Sequence, residues 1–200
     1  MSHPQLSILI PAAGESRRLG QSKQLVKFRK GTLILNAVNA AQSIAPLEVI
    51  VITGANAKAV KDAVGQTRVR WVHNTNWSAG MGSSIASGAA MISPEAAGVM
   101  IFLCDQWRLQ TADLCSIAET WQANPERIVC AKAGGQNMPP VIFPASCFSR
   151  LRALDGDDGA RDILKDQPEM LTPVALPNAV FDLDTQSQLD GLNVPGPDPG

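Results

Sequence analysis

Histidine is nearly missing from this 200-residue chain, which has only His3 and His73. A His-rich metal site and the HExxH arrangement are therefore excluded. No GxSxG presents a serine, and a Ser-His-Asp triad would have to use His73, because His3 lies at a frayed start. Paired cysteines are missing too. Cys104, Cys115, Cys130 and Cys147 stand far apart without a CxxC, as buried apolar residues do in a reducing, cytoplasmic compartment. Nor is there a charge imbalance: 17 Lys and Arg meet 18 Asp and Glu. The chain has no general pull toward nucleic acid or anionic lipid, so any phosphate binding is local. No stretch approaches ~18 consecutive apolar residues. The first apolar run, Leu6 to Ala13, is broken by Ser7 and Pro11 and has no basic residue ahead of it. It is neither a spanning helix nor a signal peptide.

What is present is a core: 45% of the residues are apolar, enough for one buried domain. Leu6–Ile10, Val49–Thr53, Val69–Val72 and Val99–Leu103 are short aliphatic runs bounded by breakers, as buried parallel strands are. Helical spacing separates them. It is carried by Leu33, Val38 and Ala41, by 57–64 behind Asn56 as N-cap, and by 111–124 behind Thr111, with Asp113 in its first turn. Alternating strand and helix predicts an α/β fold, a single-domain, mostly parallel open sheet with helices on both faces. After Ala131 the spacing predicts a breaker-rich loop over 131–140 and a strand at Val141–Phe143. Helices follow near 146–154 and 160–165, then short strands near 174–176 and 180–181 and a last helix from Thr185. Residues 1–130 read as the parallel α/β sheet itself, 131–192 as an elaboration of the same sheet, and 193–200 as a disordered tail.

Four stretches carry chemistry. The first, PAAGESRRLGQSKQL (Pro11–Leu25), directly follows the first strand, where open α/β sheets bind ligands. Gly14 and Gly20 allow close backbone approach, and Arg17, Arg18 and Lys23 add local positive charge suited to a polyphosphate. A solvated basic loop has the same composition, and the pattern is not a Walker A loop. The second, Asn74–Gly88, contains Gly80-Met81-Gly82 followed by Ser83 and Ser84. It is a poor dinucleotide fingerprint. It reads either as a helix start offering hydroxyls and free amides to a ligand or as ordinary capping. In the third, Asp105 ends an aliphatic strand, where a carboxylate needs a cation or serves as a turn residue. In the fourth, Asp182 and Asp184 alternate along a strand in FDLDT, one toward the site and one toward solvent. Together they suit transfer of a nucleotidyl group, which requires charge neutralisation and alignment but no protein nucleophile.

The same motifs carry a resemblance. AAGESRRLGQSKQL resembles the AAGxSxRxGxxKxL signature of the nucleotidyltransferases that act on the molybdenum cofactor. NTNWSAGMGSSI, LCDQ, LDGDDGARDIL and FDLDT are similar to four further motifs of that family in the same order, from about Leu6 to Leu189. The likeness is strongest to its cytidylyltransferases. It implies a nucleotide-diphospho-sugar transferase-like, Rossmann-related fold, with a nucleotidyltransferase domain over 1–192 whose last part, 131–192, binds the acceptor. The implied reaction is Mg²⁺-dependent transfer of CMP from CTP to the phosphate of molybdopterin, with pyrophosphate released. A molybdoenzyme or its cofactor chaperone would take the product; neither nucleic acid nor membrane is a partner. By that resemblance Ala12, Ala13 and Gly14 contact base and ribose, while Arg18 and Lys23 hold the triphosphate. Gly82 and Ser83 meet the nucleoside, with Ser16, Gly20, Gly80 and Ser84 in the same nucleotide site. Asp105 and Asp184 bind Mg²⁺, and Lys23, Arg18 and Asp105 are the catalytic set. Arg17 and His73 fall at variable positions and read as solvent-facing and structural. Trp107 stands where the family usually has proline, and Met138-Pro139-Pro140 where it often has Gly-His-Pro. A different phosphorylated acceptor, such as a sugar or alcohol phosphate, and a non-catalytic nucleotide carrier are the competing readings.

Overall fold

The structure, a computed structural model, describes residues 3–157 and 159–192; the 193–200 tail lies outside them. β1 (His3–Ala12) leads into a loop with two 3-10 turns, Arg17–Leu19 and Lys23–Leu25. A two-residue ladder of β2 (Lys27–Phe28) and β3 (Gly31–Thr32) follows. Then come α1 (Leu33–Ser43), β4 (Pro46–Thr53), α2 (Ala57–Val64), β5 (Arg70–His73), α3 (Met81–Ala89) and β6 (Gly98–Ile101). The remainder is α4 (Thr111–Ala123), β7 (Ile128–Ala133), β8 (Gln136–Pro144), α5 (Phe148–Arg152), α6 (Arg161–Asp166), β9 (Leu171–Ala175) and α7 (Gln186–Leu192). Among the described residues no helix is long and apolar enough to cross a membrane.

Seven of these strands form one sheet in the order β5-β4-β1-β6-β8-β7-β9. Only β8 runs against its neighbours. Side chains alternate across the pleat, so each aliphatic strand feeds two cores. Ile8, Ile10, Val49 and Val51 pack with Val38, Val60 and Leu114 of α1, α2 and α4. Leu9, Ile50, Ile52 and Ile101 pack with Ile85, Leu151 and Ile163 of α3, α5 and α6 on the opposite face. The expected single-domain α/β sheet with helices on both faces is observed. The chain winds outward from β1 through β4 to β5, then returns to place β6 on the other side of β1. That reversal opens a crevice at the carboxyl ends of β1 and β6, where doubly wound sheets bind ligands.

Several local expectations need correction. The 131–140 segment is a β-hairpin, not a loop. Ala133 pairs with Gln136 across Gly134 and Gly135, whose φ angles of 55° and 77° suit a tight two-residue turn. Residues 177–180 form a 3-10 turn opened by Pro177, so no strand exists at Val180–Phe181. FDLDT is likewise irregular and not a strand. Asn56 caps α2 with no side-chain hydrogen bond. At α4 the cap is Gln110, in a capping box with Asp113.

The FDLDT segment is fixed by other means. The Leu183 amide donates to the Asp105 carbonyl at 3.1 Å. Thr185 and Gln188 then cap α7 reciprocally: Gln188 Oε1 accepts from the amides of Asp184 and Thr185, both at 2.8 Å. Buried Gln106 donates to the carbonyls of Pro139 and Ala179 at 2.7 and 2.9 Å, tying the end of β6 to β8 and to the 3-10 turn.

Gly98 shows how tightly β6 is packed. A Cβ there would lie 2.4 Å from Cζ2 of Trp121. That ring is buried, and its indole N–H donates to the Pro125 carbonyl at 3.0 Å, so it cannot easily move. Gly98→Ala should cost about 1–3 kcal/mol of stability through overpacking, read from urea denaturation. An unchanged midpoint would contradict this packing.

Candidate active site

The loop after β1 is held by its own side chains. Ser16 adopts a left-handed conformation (φ 59°). Its carbonyl accepts from the Leu19 amide at 3.0 Å, and its hydroxyl accepts from the Lys23 amide at 3.1 Å. Gly20, at φ 72°, closes the first turn. Buried Gln24 donates to the Gly14 carbonyl at 3.1 Å. These bonds fold the loop back and deliver Lys23 to the end of the sheet. Gly14 is different. A Cβ there would meet nothing within 4 Å, so no contact within the protein calls for glycine. Arg17 pairs with Glu15 at 2.8 Å and faces solvent, as expected.

Lys23 joins two carboxylates from distant parts of the chain. Its ammonium donates to Asp105 Oδ2, just past β6, and to Asp184 Oδ1 at 3.1 Å. Arg18, otherwise exposed, approaches Asp184 Oδ2 at 3.9 Å. Burial works against the charge on Lys23, but Asp105 and then Asp184 outweigh it, so Lys23 titrates well above the ordinary lysine range. Asp105 is only 7% exposed, and its Oδ1 has no partner. A buried, unpartnered carboxylate oxygen beside a second carboxylate suits a hard divalent cation whose other ligands come from phosphate and water. No cluster of three or more His, Cys, Asp or Glu occurs among the described residues to hold a metal without such help. Burial, reinforced by Asp105, pushes the neighbouring Cys104 thiol up to about 12. Asp182 lies at the surface, where partial desolvation, together with Asp184 and Asp105 nearby, raises its carboxyl.

The start of α3 is less open than its sequence suggests. The Gly82 amide donates to the Gly156 carbonyl at 2.8 Å and is not free for a ligand. The Ser83 hydroxyl is engaged by the carbonyls of Asn76 and Gly80, both at 2.9 Å. Asn74 donates to Ser83 and Ser84 from below. Gly80 and Gly82 are glycines because the 155–157 turn lies on them: added Cβ atoms would come within 2.4 Å of Asp157 Oδ1 and of the Asp155 carbonyl. Two motifs 75 residues apart thus form one lock. Their spacing carries no hint of this contact, which only pairing of α3 with α5 across one sheet face creates. His73 is exposed at the end of β5, with Nδ1 3.5 Å from Thr53 Oγ1.

Between these parts lies a cleft of about 380 Å³. Ala13, Gly14, Ser16, Arg18, Lys23, Gly80, Ser84 and Asp184 line it, bringing together most of the residues singled out from sequence. Asp105 meets it through Lys23, while Ala12, Gly20, Gly82 and Ser83 do not line it. Trp77 and Asp157 also line the cleft and had no assigned role.

The chain matches the MobA-like NTP transferase domain family over residues 8–171. It is 30% identical over 174 residues to nicotine blue oxidoreductase of Paenarthrobacter nicotinovorans, covering 82% of this chain and 84% of that one. It is 28% identical over 174 residues to the purine catabolism protein PucB of Bacillus subtilis, covering 82% and 83%. The crystal structure of Rv0371c from Mycobacterium tuberculosis superposes with a TM-score of 0.81 at 26% identity, covering 96% of this chain and 98% of that one. The chain belongs to the MobA-like NTP transferases and is a nucleotidyltransferase.

Proposed function

We propose that this enzyme transfers CMP from CTP to the phosphate of molybdopterin and releases pyrophosphate. The observation that carries the chemistry is Lys23 bridging Asp105 and Asp184 at the cleft. An oxygen of the acceptor phosphate attacks the α-phosphorus. The new P–O bond forms as the bond to the bridging α,β oxygen breaks, and pyrophosphate leaves with that electron pair. Lys23 and Arg18 neutralise the charge spreading over the phosphoryl oxygens, and the loop at Gly14 leaves room for the nucleotide. Asp105 and Asp184 would hold Mg²⁺, which supplies further charge neutralisation when bound. No side chain is needed as a nucleophile, in keeping with a neutral, sealed Cys104.

CTP is the proposed donor because Ala13 lines the cleft, and a methyl there would leave less room for a purine than glycine would. The acceptor rests on the five ordered motifs and the family match. Transfer to a sugar or alcohol phosphate keeps every step and changes only the acceptor. A non-catalytic carrier would make no use of a buried carboxylate with an unpartnered oxygen. One relative's name denotes an oxidoreductase. Against such chemistry here, Gly80 and Gly82 pack beneath the 155–157 turn and do not cradle a pyrophosphate. A cytoplasmic location, with a molybdoenzyme or its chaperone as recipient, belongs to the same proposal.

Lys23→Ala and Asp105→Asn should each lower turnover by about 10²–10³, while Cys104→Ala stays within a few-fold of the parent. Retained activity in either charged variant would contradict the assignment. Lys23 and Mg²⁺ use the same carboxylates, so Mg²⁺ should raise the Tm of Lys23→Ala more than that of the parent, and that of Asp105→Asn least. Identical Tm with and without Mg²⁺ in all three would remove the metal from the account.

For the base, kcat/KM with one acceptor should rank CTP far above GTP, and Ala13→Gly should narrow the gap. Equal values for the parent would refute the choice of CTP and leave nucleotidyl transfer standing. A panel of phosphorylated acceptors tests the acceptor, with molybdopterin expected to be preferred.

A further inference from the structure

The charged side chains lining the cleft are paired, with one exception. Glu15 pairs with Arg17, Arg18 with Asp184, and Lys23 with both site carboxylates. Asp157 has no hydrogen bond or ion pair among the described residues. It does not hold its own turn either: Asp155 does so, accepting from the Gly156 amide at 2.8 Å. Asp157 instead hangs over the Cα of Gly80, where any added Cβ would sit 2.4 Å from its Oδ1. An exposed carboxylate that the fold does not use and that lines a nucleotide cleft is free to accept hydrogen bonds from a ligand.

Charge says which end of the nucleotide that is. Arg18 and Lys23 converge on Asp184, so the phosphates belong there. Asp157 would repel phosphate, and the Gly82 amide beneath it is already taken by Gly156, so this side of the cleft is no anion site. The nucleoside lies here. A carboxylate only accepts hydrogen bonds. It therefore matches a base carrying an exocyclic amine and opposes one that presents a carbonyl oxygen at the same place. We infer that Asp157 accepts a hydrogen bond from the 4-amino group of cytosine and selects CTP against UTP. The inference rests on the cytidylyl reading. Ala13 and Asp157 then divide the selection: the methyl excludes large bases and the carboxylate excludes uracil.

The test is kcat/KM for CTP, UTP and 2′-deoxy-CTP with one acceptor, plus calorimetric binding of each nucleotide, in the parent, Asp157→Ala and Asp157→Asn. The parent should favour CTP over UTP by roughly 10–10²-fold, the range expected for a hydrogen bond to a charged group. Asp157→Ala should erase that preference by weakening CTP alone. Asp157→Asn, whose amide can donate to the uracil oxygen, should raise UTP above its parent value. Losses shared equally by CTP and UTP, or a loss that disappears with 2′-deoxy-CTP, would move Asp157 to the ribose and overturn the inference. A parent that prefers CTP, with that preference untouched in Asp157→Ala, refutes the Asp157 assignment alone. A parent that prefers GTP refutes the cytidylyl reading and this inference with it.

Discussion

Two carboxylates that meet at the end of a buried sheet repel each other and lose solvation; a cation between them makes the arrangement tenable. Here that cation is the Lys23 ammonium, shared by Asp105 and Asp184. The three residues come from the loop after β1, the end of β6 and the segment before α7, so the bridge fastens the first and last parts of the domain. Removing one partner of such a pair strands a buried charge, at a cost of about 3–5 kcal/mol when burial is complete and less at a partly open cleft. Much of the surrounding structure serves the bridge. Ser16 and Gln24 brace the loop that carries Lys23. The bond from Leu183 to the Asp105 carbonyl brings Asp184 alongside.

In the proposed function the same bridge is the resting form of the catalytic device. Its ammonium lies between the carboxylates that would hold the proposed divalent ion, and Asp105 Oδ1 has no partner among the described residues. A triphosphate arriving with its own negative charge gives Lys23 a new partner. On that reading, binding of nucleotide and release of the carboxylates would be coupled by charge.

Some of this was legible in the sequence, and what was legible depended on local physics. Aliphatic strands with breakers at both ends, and helices with amphipathic spacing, located β1, β4, β6, α1, α2 and α4 to within a few residues. Lys23, Arg18 and Asp105 were legible because strand-end position and charge are written locally. The antiparallel hairpin at Gly134-Gly135 reads as a loop in the sequence, since paired glycines signal both. Alternation puts Asp184 on a strand, whereas its position is set by the Asp105 carbonyl and the α7 cap. The roles of Gly80 and Gly82 were hidden for another reason. Their partner, the 155–157 turn, is brought to them only by the packing of α3 against α5.

The central claim is that this arrangement acts on the α-phosphorus of a nucleoside triphosphate. Incubation with acceptor, Mg²⁺ and CTP labelled separately at the α and γ phosphates tests it most directly. The account predicts that the α label moves to the acceptor while the γ label is recovered only in pyrophosphate. Transfer of the γ label, or its release as inorganic phosphate with the α label left in CDP, would contradict it.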